Sequence, residues 1–170
     1  MTISYRDAGP ADAASLADLG ARTFTATFGH LYSPENLATF LQHHTPERWS
    51  EVIASDAGIR LAEAGGTAIG YARIDRVLLP VPATDRRALQ LYQLYVDAEW
   101  HGQRVAPVLM DWVIDTARAR GAQDLWLSVF IDNPRARAFY QRFGFVEVMP
   151  YTFMVGDHAD EDIICKLALD

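Results

Sequence analysis

Apolar residues return along the chain with two periods, one helical and one of strands. After Gly9-Pro10, Asp12 sits where a helix N-cap is expected, and Ala13, Leu16, Ala17 and Leu19 follow at helical spacing. Ser33-Pro34-Glu35-Asn36-Leu37 predicts a second helical stretch, with Ser33 as cap and Pro34 in the first turn, and Thr45-Pro46-Glu47-Arg48 opens a third the same way. A helix over about 106–120 carries Leu109, Trp112, Val113 and Thr116 on one stripe and stops at Gly121. Another is predicted over 133–143, ended by Gly144.

Strand-like runs fill the intervals. A short one covers 3–6, and 59–63 and 68–76 flank Gly65-Gly66, a dipeptide suited to a hairpin. Leu79-Pro80-Val81-Pro82 reads as a loop, since proline lacks a ladder donor. Residues 88–96 and 124–130 are apolar strands, and 145–155 and 162–169 flank the acidic stretch 157–162, read as a turn. The order is β-α-α-β-β-β-α-β-α-β-β, which predicts an α/β (α+β) fold with a mixed sheet. The strand–helix–strand unit over 88–130 should be a right-handed parallel crossover.

Composition narrows the classes. At about 100–200 residues per domain, the 170 residues are expected to form one domain, 1–170, which at this size needs no disulfide or metal staple. Half of the residues are hydrophobic, yet no apolar run approaches the ~18 needed to cross a bilayer, so no membrane role is expected. The start shows no basic segment followed by an apolar one, and Cys165 is alone, so a cytoplasmic protein without disulfides is expected. Lys plus Arg number 15 against 22 Asp plus Glu, a balance of −7 that argues against nucleic acid as partner. His43-His44 has no Cys or carboxylate at ligand spacing, so no metal site is expected. Trp49, Trp100, Trp112 and Trp126 read as packing anchors, and Cys165 as an inert core thiol.

The chemistry concentrates in two stretches. Leu94-Tyr95-Val96-Asp97-Ala98-Glu99-Trp100-His101-Gly102-Gln103-Arg104-Val105-Ala106 runs from a strand through a loop into a helix. A helix N-terminus offers unpaired N–H groups to a phosphate, and Gly102 and Ala106 would permit close approach; on this loop alone an ordinary strand-to-helix turn explains the sequence equally well. The second stretch is Asn133-Pro134-Arg135-Ala136-Arg137-Ala138-Phe139-Tyr140-Gln141-Arg142-Phe143-Gly144-Phe145. Together they resemble the GNAT superfamily of acyl-CoA-dependent N-acetyltransferases. That family's phosphate loop reads Q/R-x-x-G-x-G/A, and its later helix reads N-x-x-A-x-x-F/Y-Y-x-x-x-G-F. Asn133, Ala136, Phe139, Tyr140, Gly144 and Phe145 fit the second pattern, and the resemblance covers essentially the whole chain. A narrower likeness, to PaiA-type spermidine/spermine N-acetyltransferases, is carried by Thr23-Phe24, Thr27-Phe28, Ser33-Pro34-Glu35-Asn36-Leu37, Gly156-Asp157 and Asp162-Ile163-Ile164.

The resemblance implies a mostly antiparallel mixed sheet, acetyl-CoA as co-substrate and a small-molecule amine, a polyamine first, as acceptor. It implies that pantetheine lies along the backbone of Leu94, Tyr95 and Val96 between parted strands. The pyrophosphate would meet His101, Gly102, Gln103, Arg104, Val105 and Ala106. Asn133 would face pantetheine, and Tyr140 would act as general acid toward the thiolate, its phenol protonated at an ordinary pKa of about 10. Phe28, His30, Tyr32 and Glu35 would face the acceptor.

Two departures matter. Arg104 stands where the family has its central Gly, and His101 where it has Gln or Arg; a positive φ at Arg104 would cost on the order of 1 kcal/mol. The stretch Gln90-Leu91-Tyr92-Gln93 lacks the Glu with which many relatives deprotonate the amine. An amine of pKa near 10.4 is only about one part in 10³–10⁴ neutral at pH 7, so some group must take its proton. Glu35, Asp75, His30 and Asp97 are the candidates. The competing class is an acyl-CoA-binding sensor or interaction module without turnover, and the assembly, monomer or homodimer, stays open.

Overall fold

The computed structural model describes residues 2–170. Strand β1 (Ile3–Asp7) leads into three helices, α1 (Ala13–Phe28), α2 (Pro34–Leu41) and α3 (Pro46–Ile53). Then come β2 (Gly58–Ala64), β3 (Thr67–Asp75), β4 (Ala88–Val96), α4 (Val105–Ala119), β5 (Asp124–Phe130), α5 (Pro134–Arg142), β6 (Val146–Val155) and β7 (His158–Ala168). The order agrees with the predicted one except that three helices, not two, follow β1, because each of the three helical stretches there folds as a separate helix.

The local signals act as their chemistry dictates. Ser33 Oγ accepts from the Asn36 N–H at 3.1 Å and Thr45 Oγ1 from the Arg48 N–H at 3.2 Å, so both hydroxyls cap. Asp12 differs. Its carboxylate gives no bond to the first turn of α1; it accepts from the Gly9 N–H at 2.7 Å and from two Arg6 nitrogens at 2.8 Å. A guanidinium fork within reach competes better for a carboxylate than a lone amide does. At the β2–β3 turn Gly65 and Gly66 have φ of 57° and 79°, the positive values that a tight two-residue hairpin requires.

All seven strands join one sheet in the order β1-β2-β3-β4-β5-β7-β6, antiparallel except for β4 beside β5. One face is covered by α4, whose Val105, Leu109, Met110, Val113 and Ala117 pack into a core with Leu125, Leu127 and Cys165. The other carries α1 and α3, where Leu16, Leu19 and Trp49 enclose Leu61 and Tyr71.

The acidic stretch is not the turn that the sequence suggests. The turn between β6 and β7 is Gly156-Asp157 alone, and β7 begins at His158. Asp160 and Asp162 point inward, 6% and 7% exposed, while Glu161 between them faces out. A run of charges hides strand alternation when both faces carry polar residues, and this inner face is polar.

The pairing that matters for function is the shortest one. Strand β4 pairs with β5 only over Ala88, Leu89 and Gln90 against Asp124, Leu125 and Trp126, whereas β5 stays paired with β7 throughout. Just beyond, β4 carries a bulge: Arg73 faces Gln93 and Ile74 faces Leu91, which leaves Tyr92 without a partner on β3. A bulge bends its strand, and β4 leaves β5 at this point.

Candidate functional site

The parted strands open onto a cavity of about 550 Å³, walled by residues 91–96 of β4 and 127–130 of β5. Alternation sends the β4 side chains to opposite faces. Leu94 and Val96 pack toward the α4 core, and Tyr95 packs toward the core under α1 and α3. The cavity is therefore bounded by residues from both faces of the sheet.

On one side it meets the start of α4. Arg104, Val105, Ala106 and Pro107 line it, and the first N–H groups of a helix have no carbonyl one turn back to bind. Arg104 has φ 65° and ψ 16°, alone among the described non-glycine residues in having positive φ, and Gly102 has φ 81°. His101 links the two walls. Arg135 donates to its Nδ1 at 2.6 Å, which leaves the ring proton on Nε2 to donate to the Val96 carbonyl at 2.9 Å. Gln103, expected among the phosphate contacts, does not line the cavity. Its amide donates to the Glu99 carbonyl at 3.2 Å, because the loop turns that side chain back along itself.

Helix α5 supplies the facing wall. Asn133 lines the cavity while its Oδ1 caps the helix, accepting from the Ala136 N–H at 3.2 Å. Arg135 and Arg142 add two positive charges to that of Arg104 along the cavity wall, a contribution hidden in the sequence by the regular Arg spacing of this helix. Tyr140 is half-buried, packed edge-on to Phe139 and Phe145 at 5.4 and 5.8 Å between centroids. Burial, and then the nearby Cys165, hold its phenol above the ordinary value.

The opposite side is aromatic and acidic. Phe24 stacks on Tyr32 and lies against Phe28, with centroids 5.9 and 5.3 Å apart, and all three line the cavity with Phe153. The Tyr32 hydroxyl donates to Asp160, whose other oxygen lies 3.1 Å from His158 Nε2. Asp162 lines the cavity beside them. Burial and then the charge of Asp160 push its carboxyl up to about 6, while the Ser128 hydroxyl opposes the rise.

The four expected proton acceptors are not here. His30 and Glu35 are exposed and do not line the cavity, since the 3-10 turn Gly29–Leu31 and the first turn of α2 carry those positions outward. Asp75 pairs with Arg73 at 3.1 Å, and Asp97 accepts from Arg22 at 2.7 and 3.1 Å. Of the four expected acceptor-side residues, Phe28 and Tyr32 reach the cavity. The carboxylates that do reach it, Asp160 and Asp162, were masked by the apparent turn.

The match to the acetyltransferase (GNAT) family extends over residues 22–145, well over half of the chain. The chain belongs to the GNAT acetyltransferase family. An uncharacterized N-acetyltransferase of Mycobacterium tuberculosis is 33% identical over 155 residues, which span 90% of this chain and 95% of that protein. Among solved structures, the PaiA N-acetyltransferase of Thermoplasma acidophilum, in complex with coenzyme A, superposes with a TM-score of 0.79 at 19% identity, covering 99% of each chain. YncA of Salmonella typhimurium, solved with its cofactor acetyl-CoA, gives 0.74 at 16% identity, covering 100% of this chain and 95% of that one. At such identities these two establish the fold. As a GNAT N-acetyltransferase the chain keeps the left-handed backbone that the family's central glycine favours, but builds it with Arg104.

Proposed function

We propose that residues 1–170 act as one catalytic domain that transfers an acetyl group from acetyl-CoA to a primary amine, a polyamine such as spermidine being the first acceptor to test. The observation that carries this reading is the gap between β4 and β5, with the start of α4 at its edge and Tyr140 in its wall. The coenzyme A and acetyl-CoA held by the two structural neighbours support the choice of donor. The acidic lining supports a cationic acceptor. Among the described residues, no helix is long and apolar enough to cross a membrane.

In this reading the pantetheine arm lies along Leu94, Tyr95 and Val96, and the phosphates meet the N–H groups of Val105 and Ala106 beside Arg104 and Arg135. The neutral amine attacks the thioester carbonyl, a C–N bond forms, and the C–S bond then breaks. Tyr140 gives its proton to the leaving thiolate, and the nitrogen of the adduct returns one to the phenolate, so the phenol is restored. The raised phenol pKa keeps that proton in place at neutral pH.

Thiol release from acetyl-CoA, measured with a panel of amines, tests this directly. Tyr140→Phe should lower turnover by about 10² or more with coenzyme affinity intact. Unchanged turnover in that variant removes the acid role. Coenzyme binding without turnover on any amine would favour an acyl-CoA sensor, and no heat on titration with coenzyme A would sink the whole reading.

A further inference from the structure

We propose that Asp162 is the residue that takes the proton from the incoming ammonium, on the strand face it shares with Asp160, which Tyr32 and His158 hold in place. This rests on the amine-acetylation reading above and supplies the proton acceptor that β4 lacks. The strand face where relatives carry a Glu offers Gln90 and Gln93 here, and Gln90 is occupied, its Oε1 accepting from the Leu78 and Leu79 N–H groups at 2.9 and 3.1 Å.

Three observations single out Asp162. It is 7% exposed yet lines the cavity, and among the described residues it forms no ion pair, although the chain pairs its other strand acids freely, as at Arg73–Asp75 and Arg137–Glu147. An uncompensated buried carboxylate is costly, which makes it a natural receiver for a cation. The neighbouring Asp160 is by contrast fully engaged: Tyr32 donates to one oxygen and His158 lies 3.1 Å from the other. The two acids alternate with outward Glu161 on β7, so they share one face.

Among the described residues no Lys, Arg or His pairs with Asp162, and His158, at the start of the same strand, is taken up by Asp160 at 3.1 Å. Strand β5 presents the Ser128 hydroxyl, β7 presents Asp160, and Tyr151 of β6 is its register partner. The Tyr32 phenol faces the same acids from the loop before α2. From β4 comes the Tyr95 phenol, which lines the same cavity and is raised first by burial and then by Tyr140 and Asp162. The step balances as follows. An R–NH₃⁺ gives one proton to the Asp162 carboxylate, leaving R–NH₂ with a free pair to attack the carbonyl carbon. After the C–S bond breaks and the product amide leaves, the Asp162 carboxyl returns its proton to water.

A carboxyl near pH 6 accepts a proton more readily than an ordinary Asp and is still ionised at pH 7. The acid limb of kcat/KM should therefore lie near pH 6 in the wild-type enzyme. Asp162→Asn should lower kcat by about 10² or more and abolish that limb, with coenzyme A affinity unchanged by calorimetry. Asp162→Glu, one methylene longer, should recover part of the rate. Asp160→Asn removes a neighbouring negative charge and should move the limb to lower pH. Wild-type turnover with an Asp162→Asn variant that keeps kcat within threefold and retains the limb overturns this assignment while leaving amine acetylation standing. No thiol release by wild-type enzyme with any amine overturns both. Coenzyme affinity reports the fold in each variant, and if Asp162→Asn loses it, the kcat and acid limb of Asp162→Glu and Asp160→Asn decide: an unshifted limb in both counts against Asp162.

Discussion

The two sides of the cavity contrast in sign and in construction. The side at α4 and α5 is basic, made from two short continuous runs, 94–106 and 133–140. The side under α1 is acidic, and its defining contact, Tyr32 to Asp160, spans 128 positions of chain. An anion can be held largely by backbone N–H groups at a helix start, which a local sequence specifies. A cation needs carboxylates from somewhere, and burying them requires distant segments to close around them.

The sharpest way to break this division is to reverse one charge on each side. Asp162→Lys should reduce amine turnover by about 10³-fold or more while coenzyme A affinity changes by less than threefold. Arg135→Glu should instead weaken coenzyme affinity about tenfold or more, worth about 1.4 kcal/mol, with the amine KM unaffected. If both variants move both constants equally, the two sides are not separate.

A second consequence of the acidic side concerns stability. Asp162 has its folded pKa raised to about 6, so the native state binds its proton more readily than the unfolded chain does. The carboxyl therefore costs nothing below about pH 4, and its penalty grows as pH rises to 6 and stays constant above. Asp162→Asn should be more stable than wild type at pH 8 by about 3 kcal/mol, and equal to it at pH 4. Thermal unfolding at the two pH values reads the difference; an Asn variant less stable at pH 8 than at pH 4, relative to wild type, would contradict the raised carboxyl.

Smaller effects sharpen the picture further. Tyr32→Phe removes one donor to Asp160 and should raise the amine KM about three- to tenfold, near the 1 kcal/mol of a typical hydrogen bond. Arg104→Gly separates strain from charge at the basic side. Relief of the left-handed backbone should raise Tm by about 2–4 °C, while coenzyme affinity falls a few-fold with the lost charge. A variant that binds coenzyme as well as wild type would show that the Arg104 side chain contributes nothing there.

Most of the basic side of the cavity was legible in the sequence. Leu94, Tyr95, Val96, His101, Gly102, Arg104, Val105, Ala106, Asn133 and Tyr140 all line the cavity. They were legible because a strand, a helix cap and a helix face fix where neighbours in sequence point. Gln103 was the exception, since a loop side chain follows its nearest acceptor and not an element's period. The acidic side was half legible. Phe28 and Tyr32 reach the cavity, whereas His30 and Glu35, only a few positions away, face solvent. The inward placement of Asp160 and Asp162 was not legible, because a cluster of acids resembles a solvated turn until a polar interior is known to lie behind it.

Sequence by itself determined the elements whose causes are local: the hydroxyl caps at Ser33 and Thr45, the glycine turn at 65–66, the stops at Gly121 and Gly144, and the helix start at Val105. Each depends on bonds and torsions within a few residues. Tertiary structure decided where β4 leaves β5, which acids become buried, and which of them stays unpaired. Those outcomes depend on register between strands and on the dielectric around a carboxylate, quantities that exist only once distant parts of the chain have met.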